Sequence, residues 1–235
     1  MTFELKDATK RYGRTRALDA VSVALPEGEI LAVVGLNGAG KSTLLRAFSG
    51  LLALIEGELW CGGERFDRDN LEQRRKILFI PDRPFLAPHS SISENVAIYL
   101  ETYRSEAGAD RVAELLDEFD LLTNSNTPCD RLSRGQAYKV GMVALAAIRP
   151  DIWLLDEPFA SGMDGAGIQS FRQHARAAAD SGASVAFTTQ LVSLARDFAD
   201  RIAFMHEGKL VALVEPDEVK TAAMEHPELQ RLIGN

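Results

Sequence analysis

Residues 30–42 read "ILAVVGLNGAGKS". The first five are apolar without a break, the pattern of a strand covered on both faces. The next eight match G-x-x-x-x-G-K-[ST], and the strand before and helix after supply the context that this pattern requires. Gly35, Gly38 and Gly40 permit backbone angles that turn successive N–H groups toward one anion. "KSTLLRAFSG" (41–50) then places Leu44, Leu45, Ala47 and Phe48 on one side of a helix, with Gly50 as its stop. The positive dipole end of that helix faces the same anion. Lys41 has the reach for β- and γ-phosphates, and the Ser42 hydroxyl is a ligand for Mg²⁺. The stretch predicts a nucleoside triphosphate site built from Gly35, Leu36, Asn37, Gly38, Ala39, Gly40, Lys41, Ser42 and Thr43. Glycine-rich strand–helix turns also occur without ligands, but lysine and serine at these offsets argue against that reading.

Residues 151–158, "DIWLLDEP", run a second apolar strand into two adjacent carboxylates. Ionised carboxylates repel each other and resist burial, so both need partners at that strand end. In an open α/β sheet, ligands gather at the carboxyl ends of the strands, where the cation and phosphates of the first motif would lie. Asp156 fits the acid that holds Mg²⁺, directly or through water. Glu157 fits the group that orients and deprotonates the attacking water. By itself the pair reads as a surface acid cap; beside the phosphate cradle it reads as catalytic.

The chain has 235 residues, 46% of them hydrophobic and 26% charged. That suffices for a sizeable core in one domain, with room for an insertion. The longest apolar stretch, around Val140–Ile148, is about half of a bilayer span. "MTFELKDATK" at the start has no apolar segment like that of a signal peptide. The expectation is a soluble, cytoplasmic chain, free to dock onto a membrane protein. Net charge is −8 and basic clusters are as short as "RRK" (74–76), which argues against a nucleic-acid partner. Cys61 and Cys129 are isolated, two reduced thiols in preference to a disulfide or a zinc site.

Alternation in "FELKDATKRY" (3–12) and "LDAVSVAL" (18–25) predicts half-buried strands, with "PEGE" (26–29) as a turn. "KILFI" (76–80) and "ASVAFTT" (183–189) predict further buried strands. Between Ile80 and Pro150 the pattern turns helical. "DRVAELLDEFD" sets Val112, Leu115, Leu116 and Phe119 at i, i+3, i+4 and i+7. The coarse expectation is an α/β core interrupted by a helical insertion of roughly seventy residues.

"LSRGQ" (132–136) lies twenty residues before Asp156. Read locally, Ser133 and Gln136 form a capping box for a helix running to about Ile148. Together with "GLNGAGKST" and "LLDEP", in this order and at these separations, it resembles the signature motif of the ATP-binding cassette (ABC) ATPases. The chain is similar over nearly its whole length to the single-cassette subunits of bacterial ABC transporters. The resemblance implies a RecA-like P-loop NTPase core of α/β class (1–82 and 151–235), with an antiparallel β subdomain and an inserted helical subdomain (about 83–150). It also implies two cassettes, as homodimer or heterodimer, that sandwich two ATP molecules with Mg²⁺. Each ATP would lie between the cradle of one subunit and the helix start of the other. Ser133, Arg134, Gly135 and Gln136 would then face the partner's nucleotide. Arg134 stands where glycine is common and adds a positive charge.

Two further parts follow from the resemblance. Tyr12 matches the aromatic that stacks on adenine, which is favoured over a core or rim aromatic. "PDRPFLAPHSSISENV" (81–96) matches the segment that meets transmembrane permease subunits, with docking expected near Pro81–Asn95. Its three prolines restrict it, and Phe85 and Leu86 are expected to project from the core.

Three positions depart from the family pattern. Asp82 stands where glutamine usually links the cation or the lytic water to the transporter-facing loop. It keeps an oxygen ligand for Mg²⁺, but as an anion. Gln190, in "FTTQ", replaces a histidine. Its amide can donate a hydrogen bond but cannot shuttle a proton, so hydrolysis is expected to be slow but real. "EPFASGMD" (157–164) sets Asp164 one residue later than usual, in a loop that crosses the dimer interface. The expected function is an ATP-hydrolysing subunit on the inner face of the cell membrane, driving transport through separate transmembrane chains. "PDRPF" and the short C-terminal tail favour export. The alternatives are a regulatory cassette that binds ATP, barely hydrolyses it and pairs with a competent one, and an ABC protein acting on ribosomes or DNA. The single cassette and acidic balance oppose the last.

Overall fold

The computed structural model describes residues 2–230, so the outermost positions of the expected core, 1 and 231–235, lie outside the described residues. The first half carries β1 (Phe3–Tyr12), β2 (Thr15–Leu25), β3 (Ile30–Val34), α1 (Lys41–Phe48), β4 (Glu56–Cys61), β5 (Glu64–Arg65), α2 (Leu71–Arg75) and β6 (Ile77–Ile80). Three helices follow, α3 (Ile92–Tyr103), α4 (Ala109–Glu118) and α5 (Arg134–Ile148). The remainder alternates: β7 (Ile152–Leu155), α6 (Gly165–Asp180), β8 (Ser184–Thr189), α7 (Val192–Phe198), β9 (Arg201–His206), β10 (Lys209–Val214) and α8 (Val219–Glu225).

The strands form two sheets. The larger has the order β10-β9-β3-β8-β7-β6, in which β9, β3, β8, β7 and β6 run parallel and β10 is an antiparallel edge. The smaller is antiparallel, β2-β1-β4-β5. With α3, α4 and α5 inserted between β6 and β7, this is the α/β core, antiparallel β subdomain and helical insert expected from the sequence.

The uninterrupted apolar run of β3 has a simple cause. Ile30, Ala32 and Val34 face one core, shared with the helices of the insert and with α6 and α7. Leu31 and Val33 face a second core, filled by Leu44 and Phe48 of α1 and by Phe3 and Leu5 of β1. A strand with a core on each side has no solvent face, so the period-two alternation disappears. β7 repeats the arrangement, Trp153 and Leu155 on one side and Ile152 and Leu154 on the other. β1 keeps its alternation, with Phe3 and Leu5 inward, until a register shift near Asp7 brings Ala8 inward as well. Cys61 and Cys129 belong to different cores.

Helix starts follow their caps. Ser91 and Glu94 close a capping box on α3, and Ser133 and Gln136 do so on α5. On α4, Leu115 and Leu116 are buried and Phe119 just beyond them joins the same core, while Val112 is only partly covered. Leu86 departs from expectation. It packs against the helical-side core, and Phe85 alone of that pair projects, 67% exposed. Beyond β7, Phe159 sits edge-on to Phe171, Phe187 and Phe198, with centroids 5.5, 5.4 and 6.2 Å apart. This aromatic knot pins the short 3-10 turn Pro158–Ala160 to α6, α7 and β8. Among the described residues, no helix is long and apolar enough to cross a membrane.

Candidate functional site

β3, β8, β7 and β6 lie side by side and parallel, so their carboxyl ends open onto one edge of the sheet. Four segments meet there: the glycine loop after β3, Gln190 after β8, Asp156 and Glu157 after β7, and Asp82 after β6. Lys41 is buried, 5% exposed, with its ammonium turned back onto the loop. It donates to the Gly35 carbonyl (2.9 Å) and the Leu36 carbonyl (3.3 Å) and lies 3.2 Å from Glu157 Oε1. Ser42 Oγ donates to Asp156 Oδ1 at 2.9 Å, and Thr188 Oγ1 donates to the same oxygen at 2.7 Å.

The loop geometry depends on glycine at Gly40, which has φ +104° and whose added Cβ would stand 2.4 Å from the Ala17 carbonyl. Gly40 caps α1 without a side-chain bond. The first-turn amides of Lys41, Ser42 and Thr43 therefore have no partner inside the helix. Leu36, Asn37 and Gly38 form the exposed rim of the loop, and Ala39 is buried beneath it. The Ser42–Asp156 pair offers a hydroxyl and a carboxylate, hard oxygen donors suited to a cation that takes few protein ligands and the rest from phosphate and water. Among the described residues, no group of three or more His, Cys, Asp and Glu could hold a metal by itself. The donor set fits Mg²⁺ only as a shared ligand with a phosphate.

The peptide joining Asp156 to Glu157 is held on both sides. Tyr138 Oη donates to the Asp156 carbonyl at 3.1 Å, and the Glu157 N–H donates to Thr188 Oγ1 at 2.8 Å. Glu157 itself is left-handed, φ +51°, ψ +49°. Burial, then the carboxylates of Asp156, Asp82 and Glu157, hold the Tyr138 phenol well above its ordinary value, so it stays a donor.

At the start of α5 the Ser133 and Gln136 side chains are occupied with each other's backbone. Gln136 N–H donates to Ser133 Oγ (3.2 Å) and Ser133 N–H to Gln136 Oε1 (3.0 Å). Arg134, expected to project toward a partner's phosphate, forms an ion pair with Asp82 of the same chain. Gly135 lies so close to Gly162 that an added Cβ would be 2.2 Å from its carbonyl oxygen. Tyr12, at the end of β1, is 48% exposed, with the Lys10 ammonium 5.7 Å from its ring centre.

The profile described as ABC transporter matches residues 18–160. This chain belongs to the ABC transporter family, as an ATP-binding cassette. It is 31% identical over 230 residues to a probable sulfate/thiosulfate import ATP-binding protein, CysA, of Chlorella vulgaris, covering 97% of the cassette and 95% of that relative. It is 29% identical over 219 residues to the probable multidrug ABC transporter ATP-binding protein YbhF of Escherichia coli (strain K12), covering 92% of the cassette and 38% of that protein. Among solved structures, it superposes with a TM-score of 0.80 on the dimeric, post-hydrolysis ATP-binding cassette MJ0796 bound to ADP and Pi. The identity there is 28%, with 91% of this chain and 98% of that one covered.

Three polar residues of the cassette were not singled out from sequence. Tyr138 and Thr188 hold the peptide before Glu157. Lys139 reaches Asp164 at 2.7 Å, so α5 is tied to the N-cap of α6. Only position gave a signal: Tyr138 and Lys139 lie on the signature helix, and Thr188 lies two residues before Gln190. The longer segment from Glu157 to Asp164 is taken up by the 3-10 turn and by Gly162 at φ +86°.

The Lys139 ammonium, followed by the Gly167 N–H, holds the Asp164 carboxyl below the usual aspartate range. A depressed folded value means that this contribution to stability is complete above the unfolded aspartate pKa and is lost as pH falls through the folded one. Asp164→Asn preserves a capping acceptor but removes the charge. Its thermal midpoint should drop slightly at neutral pH, and it should lose less stability than the parent on acidification below about pH 4. Melts stepped from neutral to acid pH check this, and parallel curves for the two proteins would refute it.

Proposed function

We propose that this cassette binds ATP with Mg²⁺ and hydrolyses it between two paired cassettes, driving transport through separate membrane-spanning chains from the inner face of the membrane. The observation that carries the reading is the convergence of Lys41, Ser42, Asp156, Glu157 and Gln190 at the ends of adjacent parallel strands. In this reading the loop amides from Gly35 to Thr43 and the Lys41 ammonium cradle the phosphates, and Tyr12 offers its exposed ring to adenine. Ser42 and Asp156 would hold Mg²⁺, with Asp82 acting through water. Mg²⁺, when bound, supplies charge neutralisation on the phosphate oxygens. Glu157 takes the proton of the attacking water as its oxygen bonds to the γ-phosphorus and the β–γ bridge breaks. Gln190 holds that water or the γ-phosphate by its amide.

The partner cassette would present Ser133, Arg134, Gly135 and Gln136. With Ser133 and Gln136 capping α5, what remains is the amides of its first turn and the Arg134 guanidinium. The dimeric relative bound to ADP and Pi supports such a pairing. Gln190 in place of histidine supports slower hydrolysis. A cassette that binds without turnover is the second reading, and Glu157 beside Lys41 weighs against it. The relatives named above divide between import and multidrug transport at near-equal identity, so they lend no weight to export over import.

Docking fits an apolar groove of about 340 Å³ between the core and the insert, lined in part by Leu71, Phe79, Phe85, Ile98 and Tyr99. Phe85, Ile98 and Leu71 are each about half or more exposed at its mouth. A short helix with one apolar face, from the membrane-spanning chain, is the occupant that this shape and chemistry suit.

Glu157→Gln should retain ATP affinity, lose turnover by at least about 10²-fold and accumulate an ATP-bound dimer. Phosphate release and sedimentation measure this, and turnover at the parent rate would remove Glu157 as base. Gln190→His should raise turnover or leave it unchanged; a clear loss would show that glutamine is adapted to this site. Phe85→Glu should leave ATP affinity intact and abolish co-sedimentation with membranes carrying the transmembrane partner. Undiminished co-sedimentation would rule the groove out.

A further inference from the structure

We propose that Tyr138 and Thr188 are positioning residues that clamp the Asp156–Glu157 peptide and so aim the Glu157 carboxylate, tying the base to the signature helix through Tyr138. The proposal rests on the hydrolytic reading above, in which Glu157 is the base. A left-handed backbone is unfavourable for any residue with a Cβ, so something must hold Glu157 at φ +51°. The preceding peptide has two polar groups, and each meets a buried side chain, not another strand. Its carbonyl accepts from Tyr138 Oη and its N–H donates to Thr188 Oγ1. Both side chains are fully buried. Rotation of that plane would strand both groups without solvent to replace the partners.

The proton directions agree. A hydroxyl has one hydrogen, and Thr188 gives its own to Asp156 Oδ1, which leaves a lone pair for the Glu157 N–H. With the plane fixed, the direction of the Glu157 side chain is fixed, and its carboxylate arrives 3.2 Å from the Lys41 ammonium. The two clamps come from two different elements. Thr188 stands on β8, two residues before Gln190. Tyr138 stands on α5, five residues after the Ser133 cap. A displacement of α5 therefore acts on the peptide that orients the base.

The test uses the full chain, its membrane partner included where turnover requires it. Tyr138→Phe keeps the ring and removes the hydroxyl. It should lower kcat about five- to tenfold, the worth of one neutral hydrogen bond, with KM and ATP affinity nearly unchanged and the thermal midpoint lowered a few degrees by the stranded carbonyl. Thr188→Val should lower kcat further, and Thr188→Ser should restore most of the loss. Parent-like kcat in both Tyr138→Phe and Thr188→Val would overturn the proposal. So would a loss of ATP affinity in step with turnover in Tyr138→Phe, or a Thr188→Ser as impaired as Thr188→Val. A second readout needs no hydrolysis. The Glu157 amide should exchange slowly in the parent and at least about tenfold faster in Thr188→Val, and equal rates would overturn the clamp. A parent that binds ATP without turning it over would instead sink the hydrolytic reading, leaving the exchange measurement to judge the clamp.

Discussion

A carboxylate at the end of a buried strand must find donors, and Asp156 finds them on neighbouring elements. It is 3% exposed, and one of its oxygens accepts from both Ser42 on α1 and Thr188 on β8. Its amide donates to the Ile80 carbonyl of β6, and its own carbonyl accepts from Tyr138 on α5. One residue thus joins the start of the phosphate-loop helix, two neighbouring strands and the insert. An unpaired charge there would be strongly destabilising, so the donors are structural requirements before they are anything else. The site follows from them: whatever satisfies Asp156 also brings Ser42, Glu157 and Lys41 together.

The two-core arrangement explains why that node forms at an edge of the sheet. β3 and β7 are apolar on both faces, so polar side chains can enter only past their last residues. The sequence changes character at those points, from Val34 to Gly35 and from Leu155 to Asp156. The parallel registers of β3–β8 and β7–β8 then align the strand ends within a few residues of each other. The chemistry is concentrated where the packing stops.

This division decides what could be read in advance. The phosphate loop, the acid pair and the α5 cap are contiguous patterns, and each is legible because its physics is local. The clamps on Glu157 are not contiguous. Tyr138 and Asp156 are 18 positions apart, Thr188 and Glu157 are 31 apart, and neither a tyrosine nor a threonine in an apolar segment announces a partner. The Arg134 ion pair is hidden for the same reason, since its counter-ion Asp82 is 52 positions away. Leu86 was expected to project beside Phe85, but adjacent residues on a turning segment point in different directions. β4 escaped notice because "EGELWC" opens on polar residues and a glycine, and it becomes a strand through its antiparallel pairing with β1.

Beside its apolar packing, three polar side-chain contacts tie α5 to the core, and they are unequal. Arg134 and Asp82 have side chains 47% and 42% exposed, so water screens their pair and its worth is about 1 kcal/mol or less. Lys139 is buried, but its partner Asp164 is mostly solvated. The Tyr138 bond is dry at both ends, and breaking it strands a buried carbonyl at about 1–3 kcal/mol. Of the three, Arg134 is the most weakly held and Tyr138 the most strongly. The start of α5 thus carries its weakest polar contact, and its second turn carries the dry one to Asp156.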